Sequence, residues 1–129
     1  MEVGAAVTDP DERTEPTLAA THAAAESARA ANHAAYNTPR NDTGSVYDRT
    51  GALHALLSST EQLARMLGED VARLRDTDGL RSTDAVDPGG QALSAAADLA
   101  TAAESISAAA SYVNSAWSYL SPLYIGDAS

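Results

Sequence analysis

The feature that most constrains the fold is a run of apolar residues spaced alternately by four and three in the last third of the chain. Such spacing keeps every member on one side of an α-helix, where a second helix can cover them. The pattern therefore predicts a long helix over about 88–121 that packs against another helix. The members of the run are Ala92, Ala96, Leu99, Ala103, Ile106, Ala110, Val113, Trp117, Leu120 and Tyr124.

Two further helices are predicted upstream, over about 15–36 and 45–75. Pro16 falls in the first turn of the first helix, where its missing N–H is tolerated. Ser45 and Asp48 resemble a capping box at the start of the second, with Asp in place of the usual Glu.

The second predicted helix also carries apolar residues at heptad positions, which would face its neighbour. Two pairs at i,i+4 spacing, Glu61–Arg65 and Glu69–Arg73, indicate its wet side. The apolar heptad residues are Val46, Leu53, Leu56, Leu63, Leu67 and Leu74, interrupted by Arg49, Thr60 and Asp70.

The start of the third helix completes the predicted architecture. Asp87 is a good N-cap and Pro88 a good first helical residue. The acidic link 76–87 is long enough for the second and third helices to lie antiparallel, with the first alongside. The fold predicted is all-α, a three-helix up-down-up bundle.

We expect this bundle to occupy residues 14–121. It would be flanked by a disordered acidic tail, 1–13, and by a C-terminal tail, 122–129. Met1–Ala6 lacks the basic and apolar regions of a secretory signal, so a cytoplasmic location is expected.

Composition narrows the function. The chain has no cysteine, which excludes disulfides, thiolate chemistry and cysteine-ligated zinc. Its net charge of −10 disfavours direct binding to nucleic acid, because an acidic chain repels the phosphate backbone. Alanine, which occurs 29 times, favours helices but gives one copy a thin core. We therefore expect a homo-oligomer or a helical protein partner.

Residues 105–126 contain no charged side chain, although a surface helix normally carries charge on its outer side. Tyrosine and tryptophan, which concentrate here, favour interfaces. A docking surface is the favoured interpretation and burial within the bundle an alternative. Serine, asparagine and proline disfavour insertion of this segment into a membrane. The predicted interaction residues are Leu99, Ile106, Tyr112, Val113, Trp117, Tyr119, Leu120 and Tyr124.

The three histidines do not predict a metal or catalytic site. His22 and His33 share one side of the first helix but lie eleven residues apart, roughly 16 Å along its axis. One metal ion needs ligands within a few ångströms. His54 sits beside the heptad residues of the second helix, with no nucleophile motif nearby. No catalytic residue, cofactor or metal is predicted.

Two stretches resemble a group of small, uncharacterised helical proteins of actinobacteria, often from mobile elements or phage-like regions. Residues 30–37, AANHAAYN, resemble an LNHAT-like segment, and residues 46–53, VYDRTGAL, resemble a VYDVLGxL segment. The resemblance covers about residues 28–68. Those proteins carry a tryptophan late in the second helix, whereas Trp117 is in the third predicted helix. The resemblance implies a helical fold and a source, but no activity.

Two functions follow from the sequence as hypotheses. The first is a non-enzymatic assembly or adaptor protein that self-associates or docks a partner through the third helix. The second is an acidic regulatory or inhibitor protein of a mobile element or phage that blocks a basic partner. Its acids would be Glu2, Asp9, Asp11, Glu12 and Glu15 in the tail and Asp76, Asp78, Asp84 and Asp87 in the link.

Overall fold

The computed structural model describes residues 10–37, 42–84 and 86–126, which form three α-helices and no strand. Helix α1 spans Pro10–Asn37, α2 spans Thr43–Arg73 and α3 spans Pro88–Leu120. A short 3₁₀ turn, Leu74–Asp76, follows α2. The prediction of an all-α fold with three helices is confirmed.

Helix α1 lies in one compact unit, Met1–Arg40, and the other two helices lie in a second, Asn41–Ser129. Helix α1 begins four residues earlier than the predicted start near residue 14. Pro10 rather than Pro16 is its first residue, and Pro16 lies inside the helix. The remainder of the predicted disordered tail, residues 1–9, lies outside the described part of the chain.

Helix α2 begins at a different cap from the predicted one. Asp42 is the N-cap, and its Oδ1 accepts a hydrogen bond of 3.0 Å from the backbone N–H of Gly44. The capping box at Ser45 and Asp48 is wrong, because Asp42 already supplies the acceptor and Ser45 lies inside the first turn.

The link between α2 and α3 is shaped by a tight turn and a cap. Gly79 has a φ of +84°, a left-handed conformation that only glycine adopts freely, and Leu80 N–H bonds to Thr77 O nearby. At the end of the link, Asp87 Oδ1 accepts from the N–H of Gly89 at 3.2 Å, and Pro88 is the first helical residue. The predicted start of α3 is confirmed.

Helices α2 and α3 pack together as an antiparallel hairpin. The start of α2 meets the end of α3, as the contact of Gly51 with Trp117 shows, and Gly68 meets Leu99 further along. Ala92, Ala103 and Ala110 are buried on α3. The other helical members of the predicted α3 run are half-buried: Ala96, Leu99, Ile106, Val113, Trp117 and Leu120. The heptad prediction for α3 is confirmed.

The heptad prediction for α2 is wrong. Leu53, Leu56, Leu67 and Leu74 remain between 43% and 49% exposed. A different set continues the alternating four-three spacing and is buried or half-buried. It consists of Thr43, Tyr47, Thr50, His54, Leu57, Glu61, Ala64, Gly68 and Val71. These residues face α3, so α2 is rotated by about one residue step, ~100°, from the predicted orientation.

Two glycines bring this side of α2 close to α3, and close backbones increase dispersion contacts. At Gly68 an added Cβ would lie 3.4 Å from the Cβ of Leu99 and 3.7 Å from the carbonyl oxygen of Ala96. Leu57 lies on the contact side, whereas Leu53, Leu56 and Leu67 lie to one side of it.

Two ion pairs lie along α2. Arg65 pairs with Glu61 at 2.9 Å, as predicted. Arg73, predicted to pair with Glu69, pairs with Asp70 instead, one helical turn away. Both pairs are partly exposed and contribute little to stability.

Candidate functional site

The indole of Trp117 lies close to Gly51 of α2, near the open end of the hairpin. A Cβ added to Gly51 would stand 2.6 Å from Cζ2 and 2.8 Å from Cε2 of the indole. No side chain larger than hydrogen fits there without displacement. Gly51 therefore forms the notch that admits the largest side chain of the hairpin.

Two rings from α2 flank the indole. The centroid of Tyr47 lies 5.5 Å from that of Trp117, with the planes tilted by 42°, and the centroid of His54 lies 6.0 Å away at 30°. Tilted rings at these distances attract one another. Tyr47 and His54 are four and three residues from Gly51, so all three share one side of α2. The cluster fixes the register of the hairpin.

The N–H of the same indole is buried and donates to no acceptor in the described part of the protein. An unpaired buried donor costs on the order of 1–3 kcal/mol. The ring contacts and the close fit to Gly51 offset that cost. The cluster is therefore built for packing.

The structure divides the predicted interaction residues into two groups. Five lie on the side of α3 that faces α2, namely Leu99, Ile106, Val113, Trp117 and Leu120. The three tyrosines are not brought together with them. Tyr112 is 79% exposed, Tyr119 77% and Tyr124 82%. The role of the eight residues as a docking surface stays a prediction.

Tyr112 and Tyr119 lie seven residues apart, two turns of helix, and so project from the same side of α3. That side is opposite Ala110 and Trp117. Tyr124 follows the end of α3 with Leu123 and Ile125, which are also exposed. The uncharged segment 105–126 thus presents aromatic and aliphatic side chains to solvent.

Shallow grooves border the open end of the hairpin. One, of about 400 Å³, is lined by Tyr47, Asn114, Trp117, Ser118 and Ser121. Another, of about 370 Å³, runs between the start of α2 and the end of α3, from Thr43 to Leu123. Both are open to solvent. They suit contact with a surface better than enclosure of a small molecule.

The polar residues at and near the histidines make contacts with neighbouring side chains or backbone. On α1, Glu26 pairs with Arg29, and the Asn37 amide donates to the carbonyl oxygen of His33 at 3.0 Å. His54 is half-buried against Trp117. Within residues 10–37, 42–84 and 86–126, no group of three or more histidine or acidic side chains is placed to hold a metal ion.

Sequence reasoning missed Gly51, Gly68 and Tyr47. A usable signal was present for the glycines. Glycine inside a helix costs about 1 kcal/mol relative to alanine, so two glycines in the interior of a predicted helix indicate a close approach of another element. Tyr47 carried no such signal, because its role depends on the register with Trp117.

No protein-family model matches the chain, and no curated protein or solved structure matches it either. Among the described helices, none is long and apolar enough to cross a membrane.

Proposed function

We propose that the protein is a non-enzymatic assembly or adaptor protein that docks a helical protein through α3. The observation that carries the proposal is the exposure of Tyr112, Tyr119 and Tyr124 in the uncharged segment 105–126. These tyrosines lie away from the α2 contact and remain available to another molecule.

Tyrosine suits this role for physical reasons. Its ring supplies a large apolar area, its hydroxyl tolerates water at the rim of an interface, and few torsions are frozen when it binds. Burying an uncharged surface also avoids the desolvation cost of ions. The exposed Ser115, one turn from both Tyr112 and Tyr119, adds a hydrogen-bonding group without charge.

The polar residues best suited to chemistry have structural partners instead. Glu61 holds Arg65, Asp87 caps α3, and His54 packs on Trp117. These partners support a non-enzymatic role for the hairpin.

The acidic inhibitor hypothesis ranks second. The link acids Asp76, Asp78, Asp84 and Asp87 are exposed, which favours contact with a basic partner. Three of them already serve the fold: Asp76 lies 3.4 Å from Arg75, Asp84 accepts from Gln91, and Asp87 caps α3. Binding of a basic partner that disappears at about 0.5 M salt would favour this hypothesis.

Site-specific photo-cross-linking tests the leading proposal. A photoreactive phenylalanine analogue placed at position 112 or 119 should give a discrete cross-linked species in cells. Ser111 and Ser118, each one residue earlier, are exposed matched controls on another side of α3. Cross-links from the tyrosine positions but not from the serine positions would support docking through α3. Equal labelling from all four positions, or none, would count against it.

A further inference from the structure

The hairpin has two flanks, and they differ in polarity. On each helix, the residue just before a contact position lies to one side of the contact. Because the two helices run in opposite directions, these preceding residues of both helices lie on the same flank of the hairpin. Along α2 and the 3₁₀ turn that follows it, the flank carries the leucines at 53, 56, 63, 67 and 74, interrupted by Arg49, Thr60 and Asp70. On α3 it carries Ala95, Ala102, Ala109 and Ala116, and Asp98, Ser105, Tyr112 and Tyr119 lie beside these alanines. The five leucines and four alanines are the aliphatic part of the flank.

We call these nine residues the Leu/Ala face. Its four alanines are exposed, and its leucines are exposed except for the half-buried Leu63. Met66, which is 50% exposed, extends the leucine side. The opposite flank combines polar residues such as Ser58, Arg65, Ser107 and Asn114 with small ones, and Leu93 is its leucine. One flank of the hairpin thus exposes a strip of leucines beside a strip of alanines.

We propose that a second copy of this chain covers the Leu/Ala face, giving a four-helix bundle made of two hairpins. This deepens and rests on the proposed assembly function. The face is complementary to itself. A two-fold axis parallel to the helices places the leucines of each copy on the alanines of the other, so that large residues meet small ones across the interface.

The size of the face lies within the range of stable dimers. It runs from Leu53 to Leu74 and from Ala95 to Ala116, so each strip is about 30 Å long at ~1.5 Å per residue. Two helices packed ~10 Å apart give a face roughly 20 Å wide. The product, roughly 600 Å² per copy, is at the lower end of the ~600–1,000 Å² per partner of standard stable interfaces.

The apolar core of the single hairpin is made of small side chains. Within the described residues, its buried apolar side chains are alanines, and no large side chain is fully buried. Helix α1 offers a single aliphatic residue larger than alanine, Leu18. The leucines that can cover the face are therefore those of a second hairpin. Burying them between the two copies would give the dimer the large apolar core that one hairpin lacks.

Matched arginine substitutions test the dimer. Ala102 and Ala100 are both exposed on α3. Position 102 is in the Leu/Ala face, and position 100 borders the opposite flank. Each has an acid four residues away, Asp98 and Glu104 respectively, so the two arginines gain similar local ion pairs. Because both alanines are exposed in one copy, neither change should unfold the hairpin.

The readout is the absolute mass of the full chain by size exclusion with light scattering, across a tenfold dilution. The parent chain and Ala100→Arg should give twice 13.3 kDa. Ala102→Arg should give the monomer mass with unchanged helical circular dichroism. A parent chain that is monomeric throughout, or an Ala102→Arg dimer, would overturn the proposal.

Three further outcomes show what covers the Leu/Ala face and whether the proposed function depends on the dimer. A monomeric parent that is destabilised by Leu53→Gln would mean that the face is covered within one chain, which also overturns the dimer. A monomer that still cross-links a partner through Tyr119 would leave the proposed function standing without the dimer. Loss of that cross-link while the mass remains twice 13.3 kDa would contradict the function instead.

Discussion

At two points of their contact, helices α2 and α3 meet with side chains of opposite size. Helix α3 contributes large side chains such as Leu99 and Trp117, whereas α2 receives them on Gly68 and Gly51. The leucines of α2 lie on a flank and remain partly exposed. The difference teaches that the largest apolar residues of a helix need not mark its intramolecular contact. Where backbones approach closely, small residues mark it.

The largest expected effect comes from removing the side chain that fills the glycine notch. Trp117→Ala should destabilise the hairpin by about 3 kcal/mol, because it leaves a cavity beside Tyr47, His54 and Gly51. Chemical denaturation followed by circular dichroism measures the change. Trp117→Phe keeps a ring and removes the unpaired N–H, so it should lose less than half as much. Equal losses for both variants would argue against the ring cluster.

A smaller effect separates the two glycines of α2. Gly51→Ala should destabilise by about 1–2 kcal/mol, because the 2.6 Å approach to the indole outweighs the ~1 kcal/mol gain in helix propensity. Gly68→Ala is the matched control. Its Cβ would make an ordinary contact at 3.4 Å, so stability should be unchanged or rise by up to about 1 kcal/mol. Thermal melts that rank the two variants the other way would refute the notch.

The smallest expected effect concerns the start of α2. Asp42→Ala should cost about 1 kcal/mol, since it removes the acceptor for the Gly44 N–H. Ser45→Ala should change stability by less than about 0.5 kcal/mol, because Ser45 is exposed inside the first turn. The two melting temperatures decide between the observed cap and the capping box suggested by the sequence.

The same contrast explains which parts of the fold were predictable. The α3 contact face could be predicted because its apolar residues follow an uninterrupted four-three spacing, and Asp87-Pro88 is an unambiguous start. The α2 contact face could not, since Thr50, His54, Glu61 and Gly68 carry no apolar pattern. Its leucines do follow a heptad, but they belong to a different surface.

The exposed tyrosines were predictable as a group but not as a separate surface. Their placement depends on which side of α3 the neighbouring helix occupies. Once α2 covers Ala110 and Trp117, Tyr112 and Tyr119 are left outside. The cluster of Tyr47, His54 and Trp117 joins residues more than sixty positions apart in sequence. It depends on the register between the two helices, which periodicity within one helix does not contain.

The single tryptophan of the chain sits where the two helices close on each other. Its emission therefore reports on one place only, without an attached dye. Closure of the hairpin brings the indole against a tyrosine and a histidine and withdraws its N–H from water. The wavelength and intensity of that emission therefore provide an intrinsic fluorescence probe of the step in which α3 closes on α2.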